Sequence, residues 1–297
     1  MDATVNVNGR ISDAAHAIIS VFDHGFLYGE GVYETLRTYN GVPFLFDRHM
    51  RRLRHSAAML SLPVPLSDTD IQARFVETMS AAGLGDARGG EAHIRLLLTR
   101  GVGELSYDPS ACPTPSVVVI VKRHVAPDAA VFEKGVNVAL VEVVRNHPAS
   151  VNPIIKSNNL LNSALAMQEA LRRGAYEGVM RNYRGELAEC TTANLFIVKG
   201  GTALTPPLDA GLLAGITREF LFEIGGESGV PVREQTLRDA DLLGADEAFL
   251  TSTLRELVPI TSVDSHAIGT GRPGPVTLTL LEAFRRHSQR QTQPSGA

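Results

Sequence analysis

The chain has few cysteines and no long apolar run, and these absences exclude several classes of protein. Its 297 residues include only Cys112 and Cys190, too few for a disulfide framework and consistent with a reducing compartment. The longest apolar runs, such as residues 115–121, have strand length and are far too short to span a bilayer. The first residues lack the basic and apolar regions of a signal peptide, so we expect a cytoplasmic protein.

An excess of positive charge and a metal-binding spacing are also missing. The chain has 28 basic and 32 acidic residues and a formal net charge of −4. This balance argues against binding to nucleic acid or to a membrane surface. His49 and His55 are six residues apart and no cysteine pair accompanies them, so we expect no metal site.

Lysine is scarce as well, which draws attention to the few lysines present. Of the 28 basic residues only four are lysines: Lys122, Lys134, Lys156 and Lys199. Lys156 lies among apolar and amide residues in the stretch 152–161. Arginine stays protonated, whereas a desolvated lysine can act as a nucleophile and form a Schiff base. The count alone still favours a surface lysine near a helix start.

Periodicity and turn residues predict a mixed α/β (α+β) fold with two domains. Period-two alternation predicts a strand at 32–39, followed by a hairpin turn at Asn40-Gly41, and an apolar run predicts another strand at 17–22. Asp47 is expected to cap a helix, and Ser67 or Asp68 to cap the next one. We predict a first domain at 1–121, a connection at 122–135, and a second domain at 136–297 that carries Lys156.

Three segments then change the interpretation of Lys156. They are Asp23-His-Gly-Phe-Leu-Tyr-Gly-Glu-Gly-Val-Tyr-Glu-Thr-Leu-Arg37, Lys156-Ser-Asn-Asn-Leu-Leu161 and Gly185-Glu-Leu-Ala-Glu-Cys-Thr-Thr-Ala-Asn-Leu-Phe196. Their order and spacing resemble the class IV aminotransferases, the pyridoxal-phosphate enzymes of fold type IV. That family includes branched-chain and D-amino-acid aminotransferases and aminodeoxychorismate lyase. Further matches at 49–53, 215–218, 249–253 and 268–277 extend the resemblance over nearly the whole chain.

The resemblance implies a two-domain fold type IV architecture, pyridoxal 5'-phosphate as cofactor, and a homodimer whose active site is shared across the interface. It places the imine on Lys156, whose amine is also the natural base for proton transfer. Glu189 matches the carboxylate that keeps the pyridine nitrogen protonated; without the resemblance it reads as an exposed acid in a turn. The phosphate contacts fall to Arg52, Ile216, Thr217 and Thr253, although for each threonine a cap or turn role is equally open.

Substrate choice is less constrained, because the chain mixes features of several branches. The D-amino-acid enzymes that it resembles carry an Arg-x-His pair where this chain has Leu105 and Tyr107. His93-Ile-Arg95 resembles the Tyr-x-Arg of branched-chain enzymes, with His93 in place of the tyrosine, and both side chains share one strand face. Tyr33, in contrast, follows the D-amino-acid and lyase branches.

Arg181 stands where relatives have an apolar residue, so it either binds a substrate carboxylate or is a strand-end surface charge; Arg255 is a weaker candidate of the same kind.

We expect a transaminase that moves an amino group between an amino acid and a 2-oxo acid by a two-step Schiff-base mechanism. Branched-chain L-amino acids, D-amino acids and (R)-amines stay open as donors, and lyase-type elimination of pyruvate is the alternative. The substrate-pocket candidates are Tyr28, Tyr33, His93, Arg95, Tyr107, Arg181 and Leu254, of which Tyr28 and Tyr107 are expected to reach across the dimer interface.

Overall fold

Two β-sheets organise the chain, and each belongs to a different structural unit. The computed structural model describes residues 2–85 and 89–292. Unit 1 comprises Met1–Val125, Ile155–Asn159 and Ser288–Ala297, and unit 2 comprises Ala126–Ile154 and Leu160–His287. The sequence prediction placed Lys156 in the second domain, whereas its segment groups with unit 1.

In the described part of unit 1, six strands form an antiparallel sheet in the order β2-β1-β6-β5-β3-β4. The strands are β1 (Thr4–Val7), β2 (Arg10–Asp13), β3 (Gly31–Tyr39), β4 (Val42–Pro43), β5 (Ala92–Thr99) and β6 (Ser116–Arg123). The helices are α1 (His24–Leu27), α2 (Phe46–Met59) and α3 (Asp68–Ala81).

The core of unit 1 lies on one face of this sheet. Alternate residues of β3, β5 and β6 pack with apolar side chains of α2 and α3, as strand alternation requires. The predicted strand at 32–39 and hairpin at Asn40-Gly41 are confirmed by β3 and β4. Ser67 caps α3 and forms a capping box with Asp70.

Two local predictions for unit 1 are wrong. Residues 17–22 form no strand, because they pair with no strand ladder, and Ile18 is 76% exposed. Asp47 does not cap α2, since the helix begins at Phe46 and its N-cap is Leu45 in the left-handed region (φ 53°).

Unit 2 is built on a mixed sheet that contains both parallel and antiparallel pairs. Its order within the described residues is β12-β11-β10-β13-β14-β7-β8-β9, with β15 paired to β14. The strands are β7 (Val136–Leu140), β8 (Glu177–Arg181), β9 (Leu187–Cys190), β10 (Asn194–Lys199), β11 (Thr202–Thr205), β12 (Val232–Glu234), β13 (Glu247–Ser252), β14 (Glu256–Val263) and β15 (His266–Ala267). The helices are α4 (Ala129–Lys134), α5 (Leu161–Arg172), α6 (Ile216–Glu227), α7 (Asp239–Leu243) and α8 (Pro275–Gln291), which ends beyond the unit boundary.

The apolar interior of unit 2 surrounds its central strands, which are buried along nearly their whole length. Helix α8 begins at Pro275, where the Glu247 carboxylate accepts the N–H groups of Val276 and Thr277 at 2.9 and 2.8 Å. This contact satisfies donors that a helix start leaves without partners. No helix among residues 2–85 and 89–292 combines the length and apolarity needed to cross a membrane.

Candidate active site

Lys156 lies on a short segment that runs beside β3. The Tyr33 N–H donates to the Lys156 carbonyl oxygen at 2.9 Å, and the Asn158 N–H donates to Gly31 O at 2.8 Å. The Lys156 N–H donates to Ser56 Oγ of α2 at 3.1 Å, and an antiparallel bridge also joins the segment to β3. These contacts fix the lysine to the sheet of unit 1 and explain its placement there.

The Lys156 amine lies against an aromatic ring that it shares with an arginine. Its Nζ is 4.3 Å from the centroid of the Tyr33 ring, and Cζ of Arg95 is 4.0 Å from the same centroid. Both distances lie within the range of a cation–π contact. Within the part of the chain that the structure describes, no carboxylate forms an ion pair with this amine.

Arg52 belongs to a buried ionic cluster that joins α2 to β3. Its Nε and Nη2 donate to the two oxygens of Glu34, each at 2.8 Å, and His49 Nδ1 lies 2.7 Å from Glu34 Oε2. Glu34 is wholly buried. Burial opposes its ionisation, but Arg52 and then His49 outweigh that effect and lower the pKa of Glu34 to about 2. For His49 burial is the largest influence and lowers the pKa, although Glu34 opposes it.

Glu189 of β9 is a buried acid in unit 2, so the alternative of an exposed turn acid is wrong. Its Oε1 accepts Nε of Arg145 at 2.8 Å. Its Oε2 accepts the Leu213 N–H at 3.2 Å and Asn194 Nδ2 at 3.4 Å. The arginine and the two amide donors thus satisfy both oxygens of this buried carboxylate.

The start of α6 offers backbone donors to an anion. Ile216 and Thr217 occupy its first turn, and no side chain caps the helix at Gly215. A Cβ at Gly215 would lie 1.8 Å from Asn194 Oδ1, so only glycine fits this approach. An uncapped helix start presents N–H groups without intrahelical acceptors, which favours phosphate. Thr253 lies in the turn between β13 and β14, also in unit 2.

These donor sets fit the parts of pyridoxal phosphate. Unit 1 holds the primary amine of Lys156, which lies against an aromatic ring, and also the nearly buried Arg52. Unit 2 holds a buried carboxylate, Glu189, and the uncapped start of α6. An imine partner, phosphate donors and an acid for the pyridine nitrogen are the groups that this cofactor requires.

His93 and Arg95 occupy the sheet face of unit 1 that is opposite the core. In the register of the sheet, His93 lies between Arg37 of β3 and Lys122 of β6. Burial, then Lys122, His124 and Arg95, lower the pKa of His93 to about 4. His93 is therefore a neutral imidazole at neutral pH, within a row of cations.

Tyr28 and Tyr107 contact each other in unit 1, with ring centroids 5.1 Å apart. Tyr107 is 84% exposed. The loop that carries it is held by His24, whose Nδ1 lies 3.0 Å from Glu30 Oε2 and whose Nε2 lies 2.8 Å from the Glu104 carbonyl oxygen. The contact lies within one chain, and the predicted reach of both tyrosines across a dimer interface stays a prediction.

Arg181 and Arg255 bind carboxylates of this chain. Arg181 makes a forked contact with Asp239, from Nε at 2.9 Å and Nη2 at 2.8 Å, and donates to the Val141 carbonyl oxygen. Arg255 Nη2 lies 3.1 Å from Glu177 Oε2. These contacts join both arginines to acidic residues of unit 2, and their predicted contact with substrate stays a prediction. Leu254, adjacent to Arg255, lies in the same turn as Thr253 and is partly buried.

Sequence reasoning missed three charged residues that pair with the predicted ones: the buried Glu34 and Glu177, and the partly buried Arg145. Glu34 carried a signal, because alternation places it on the core face of β3 between Val32 and Leu36, where an acid needs a partner. Glu177 and Arg145 carried none, since their partners are distant in sequence. No group of three or more His, Cys, Asp or Glu side chains suited to a metal occurs among the described residues.

Comparisons with known proteins identify the family. The family model for class IV amino-transferases matches residues 31–263. A protein of Methanocaldococcus jannaschii, named provisionally as a branched-chain-amino-acid aminotransferase, is 38% identical over 281 residues, which are 95% of each chain. The D-alanine aminotransferase of Bacillus licheniformis is 30% identical over 94% of each chain.

A solved structure gives the same result for the fold. The branched-chain amino acid aminotransferase of Escherichia coli superimposes with a TM-score of 0.91 and 31% identity, over 98% of this chain and 96% of the other. The predicted fold type IV architecture and aminotransferase activity are thereby confirmed. The chain belongs to the class IV aminotransferase family.

Proposed function

We propose that the chain is a cytoplasmic transaminase that binds pyridoxal phosphate through Lys156 and takes its amino group from branched-chain L-amino acids. The observation that carries the proposal is the Lys156 amine, held against Tyr33 beside Arg95 and without a carboxylate partner among the described residues. The free, buried thiols of Cys112 and Cys190 support a reducing compartment.

The side chains have separate tasks in this proposal. The bound cofactor supplies an aldehyde and a ring that draws electrons from the substrate carbon. Lys156 would hold the cofactor through its amine and, once that amine is released, would take the proton from the substrate Cα. Glu189 would accept the N–H of a protonated pyridine nitrogen, and Arg145 holds the carboxylate in place. The phosphate donors are Arg52, the N–H groups of Ile216 and Thr217, and the Thr253 hydroxyl.

The sheet face with His93 and Arg95 supports a substrate that carries a carboxylate. Arg37, Arg95 and Lys122 place positive charge around the neutral His93. Cations on a partly desolvated surface favour a carboxylate over an uncharged group. The chain has Leu105 where D-amino-acid enzymes have arginine, and it is similar to branched-chain aminotransferases in sequence and structure. We therefore assign an L-amino acid and not an (R)-amine.

We also propose a homodimer. The segments 18–26 and 102–107 of unit 1 expose Ile18, Phe22, Phe26, Leu105 and Tyr107. The Gly103 N–H donates to Phe22 O, so the two segments form one surface. A contiguous apolar surface of this kind is typical of a protein interface. Light scattering of the purified protein would reveal the dimer, and Phe26→Glu is expected to shift it toward monomer.

Reductive trapping tests the lysine assignment. Borohydride treatment of the protein loaded with pyridoxal phosphate is expected to attach the cofactor to Lys156, as located by peptide mass spectrometry. Lys156→Ala should lose the label, whereas the exposed control Lys199→Ala should keep it. Label on another lysine, or none in the wild type, would refute the assignment.

A half-reaction screen tests the donor. L-leucine should convert the cofactor absorbance faster than D-alanine, and an (R)-arylalkylamine should have little effect. A faster reaction with D-alanine would overturn the stereochemical assignment. Elimination is the alternative activity, because the same cofactor and lysine serve it; pyruvate release from aminodeoxychorismate without an amino acceptor would establish it.

A further inference from the structure

Glu34 is a charged residue on the core face of a strand. On β3 it alternates with Val32 and Leu36, and all three side chains are wholly buried. An isolated carboxylate in such a place is costly, so its retention requires partners that compensate. An apolar residue would fill the same place without that cost.

The partners of Glu34 come from one face of α2. His49 and Arg52 are three residues apart on the helix, which places them side by side. Both Glu34 oxygens accept from Arg52, and Oε2 is also 2.7 Å from His49 Nδ1. The forked contact engages the Nε–Nη2 edge of the guanidinium and fixes the plane in which the rest of the group lies.

This geometry changes the expected contact between Arg52 and a phosphate. The resemblance assigns Arg52 to the phosphate, but Glu34 already occupies the Nε–Nη2 edge of its guanidinium. A phosphate contact therefore comes from the outer edge of the guanidinium, in a direction that Glu34 sets. Because Glu34, His49 and Arg52 have little contact with solvent, the Glu34–Arg52 pair is also kept from rearranging.

We propose that Glu34, supported by His49, is a positioning residue for Arg52 and sets the affinity of the protein for the phosphate group of its cofactor. The inference rests on the proposed cofactor function and deepens it. It predicts that loss of the Glu34 charge weakens binding of the phosphate group and leaves binding of the ring and aldehyde unchanged.

The test compares pyridoxal phosphate with pyridoxal, which lacks the phosphate. Glu34→Gln keeps the shape and one acceptor oxygen but removes the charge. Absorbance titration of apoprotein should show pyridoxal phosphate binding weakened by about 10- to 100-fold, the range expected for a hydrogen bond to a charged group. Pyridoxal binding should change less than about twofold, a span worth only a small part of a kcal/mol. Inorganic phosphate should compete with the cofactor less effectively in the variant than in the wild type.

A matched control comes from the same helix. Arg54 of α2 makes an exposed ion pair with Asp68, so Asp68→Asn should leave both affinities unchanged. His49→Asn removes one of the contacts to Glu34 and should weaken pyridoxal phosphate binding alone, by less than Glu34→Gln does. It also serves as the test if Glu34→Gln fails to fold.

The outcomes separate this inference from the proposed function. Equal losses for the two ligands, or no loss for either, would overturn the positioning role of Glu34. A wild type that binds neither ligand would instead overturn the proposed cofactor, and with it this inference. A loss confined to pyridoxal phosphate in both Glu34→Gln and His49→Asn is the supporting result.

Discussion

Replacing Arg255 by methionine should destabilise unit 2 more than any surface ion pair would suggest. Arg255 Nη2 lies 3.1 Å from Glu177 Oε2 and donates to Thr192 Oγ1 at 2.7 Å. Glu177 is wholly buried and also accepts from Thr191 and Thr192. Removing one partner of a buried pair leaves an uncompensated charge, at a cost of about 3–5 kcal/mol. We expect Arg255→Met to lower the free energy of unfolding by that amount.

The assay is urea unfolding of the apoprotein, followed by far-ultraviolet circular dichroism so that cofactor binding does not contribute. The control is Lys199→Met, which breaks an ion pair with Asp246 whose side chains are 59% and 50% exposed. Such a pair contributes less than about 1 kcal/mol. Adding Glu177→Gln to Arg255→Met should recover part of the loss, because it removes the unpaired charge. A loss for Arg255→Met no larger than that of the control would refute the reasoning.

Four further predictions concern backbone space and pH. In Gly226→Ala the new Cβ would have nothing within 4 Å, and this change in α6 should raise the unfolding free energy by about 0.5–1 kcal/mol. In Gly31→Ala the new Cβ would lie 2.4 Å from Asn158 Nδ2. That change should lower the unfolding free energy by about 1–3 kcal/mol. The pKa of Glu34 falls from 4.5 to about 2 on folding. Its contribution to the unfolding free energy is therefore present above pH 4.5 and is lost as pH falls toward 2. Glu34→Gln should reduce the pH dependence of the unfolding free energy over that range, as measured by denaturation at several pH values. The pKa of His93 falls from 6.5 to about 4, so folding loses stability as pH falls between these values, and His93→Gln should remove that loss.

Local patterns predicted the elements of the fold where one segment of sequence was enough to specify them. Alternation gave the strand at β3, and the Ser67 cap gave the start of α3. The apolar run at 17–22 misled, because such a run predicts a buried strand, whereas these residues pair with no strand and Ile18 is 76% exposed. Strand pairing depends on contacts with distant residues, which no local pattern contains.

The same limit applies to the site residues. The resemblance selected Lys156, but only the pairing with β3 shows why it groups with the first sheet and not with the segments that flank it. Arg181 was open between a substrate contact and a structural charge, and the residue that it pairs with in the structure, Asp239, is 58 positions away. A sequence can indicate that an arginine is unusual, but tertiary packing determines which residue it pairs with.

Alternation along β3 explains why adjacent residues serve two different groups of the candidate site. Tyr33 and Glu34 point to opposite faces, so the Tyr33 ring contacts the Lys156 amine while Glu34 holds Arg52. Pairing with β5, where Glu34 is opposite Leu96, fixes this register, and a slip of one residue would exchange the two faces. Only Tyr33 was predicted from the sequence, through the family resemblance of its segment. Strand alternation, which directs Tyr33 to one face, also directs the charged Glu34 to the core face. A buried charge of this kind indicates a partner with a function of its own.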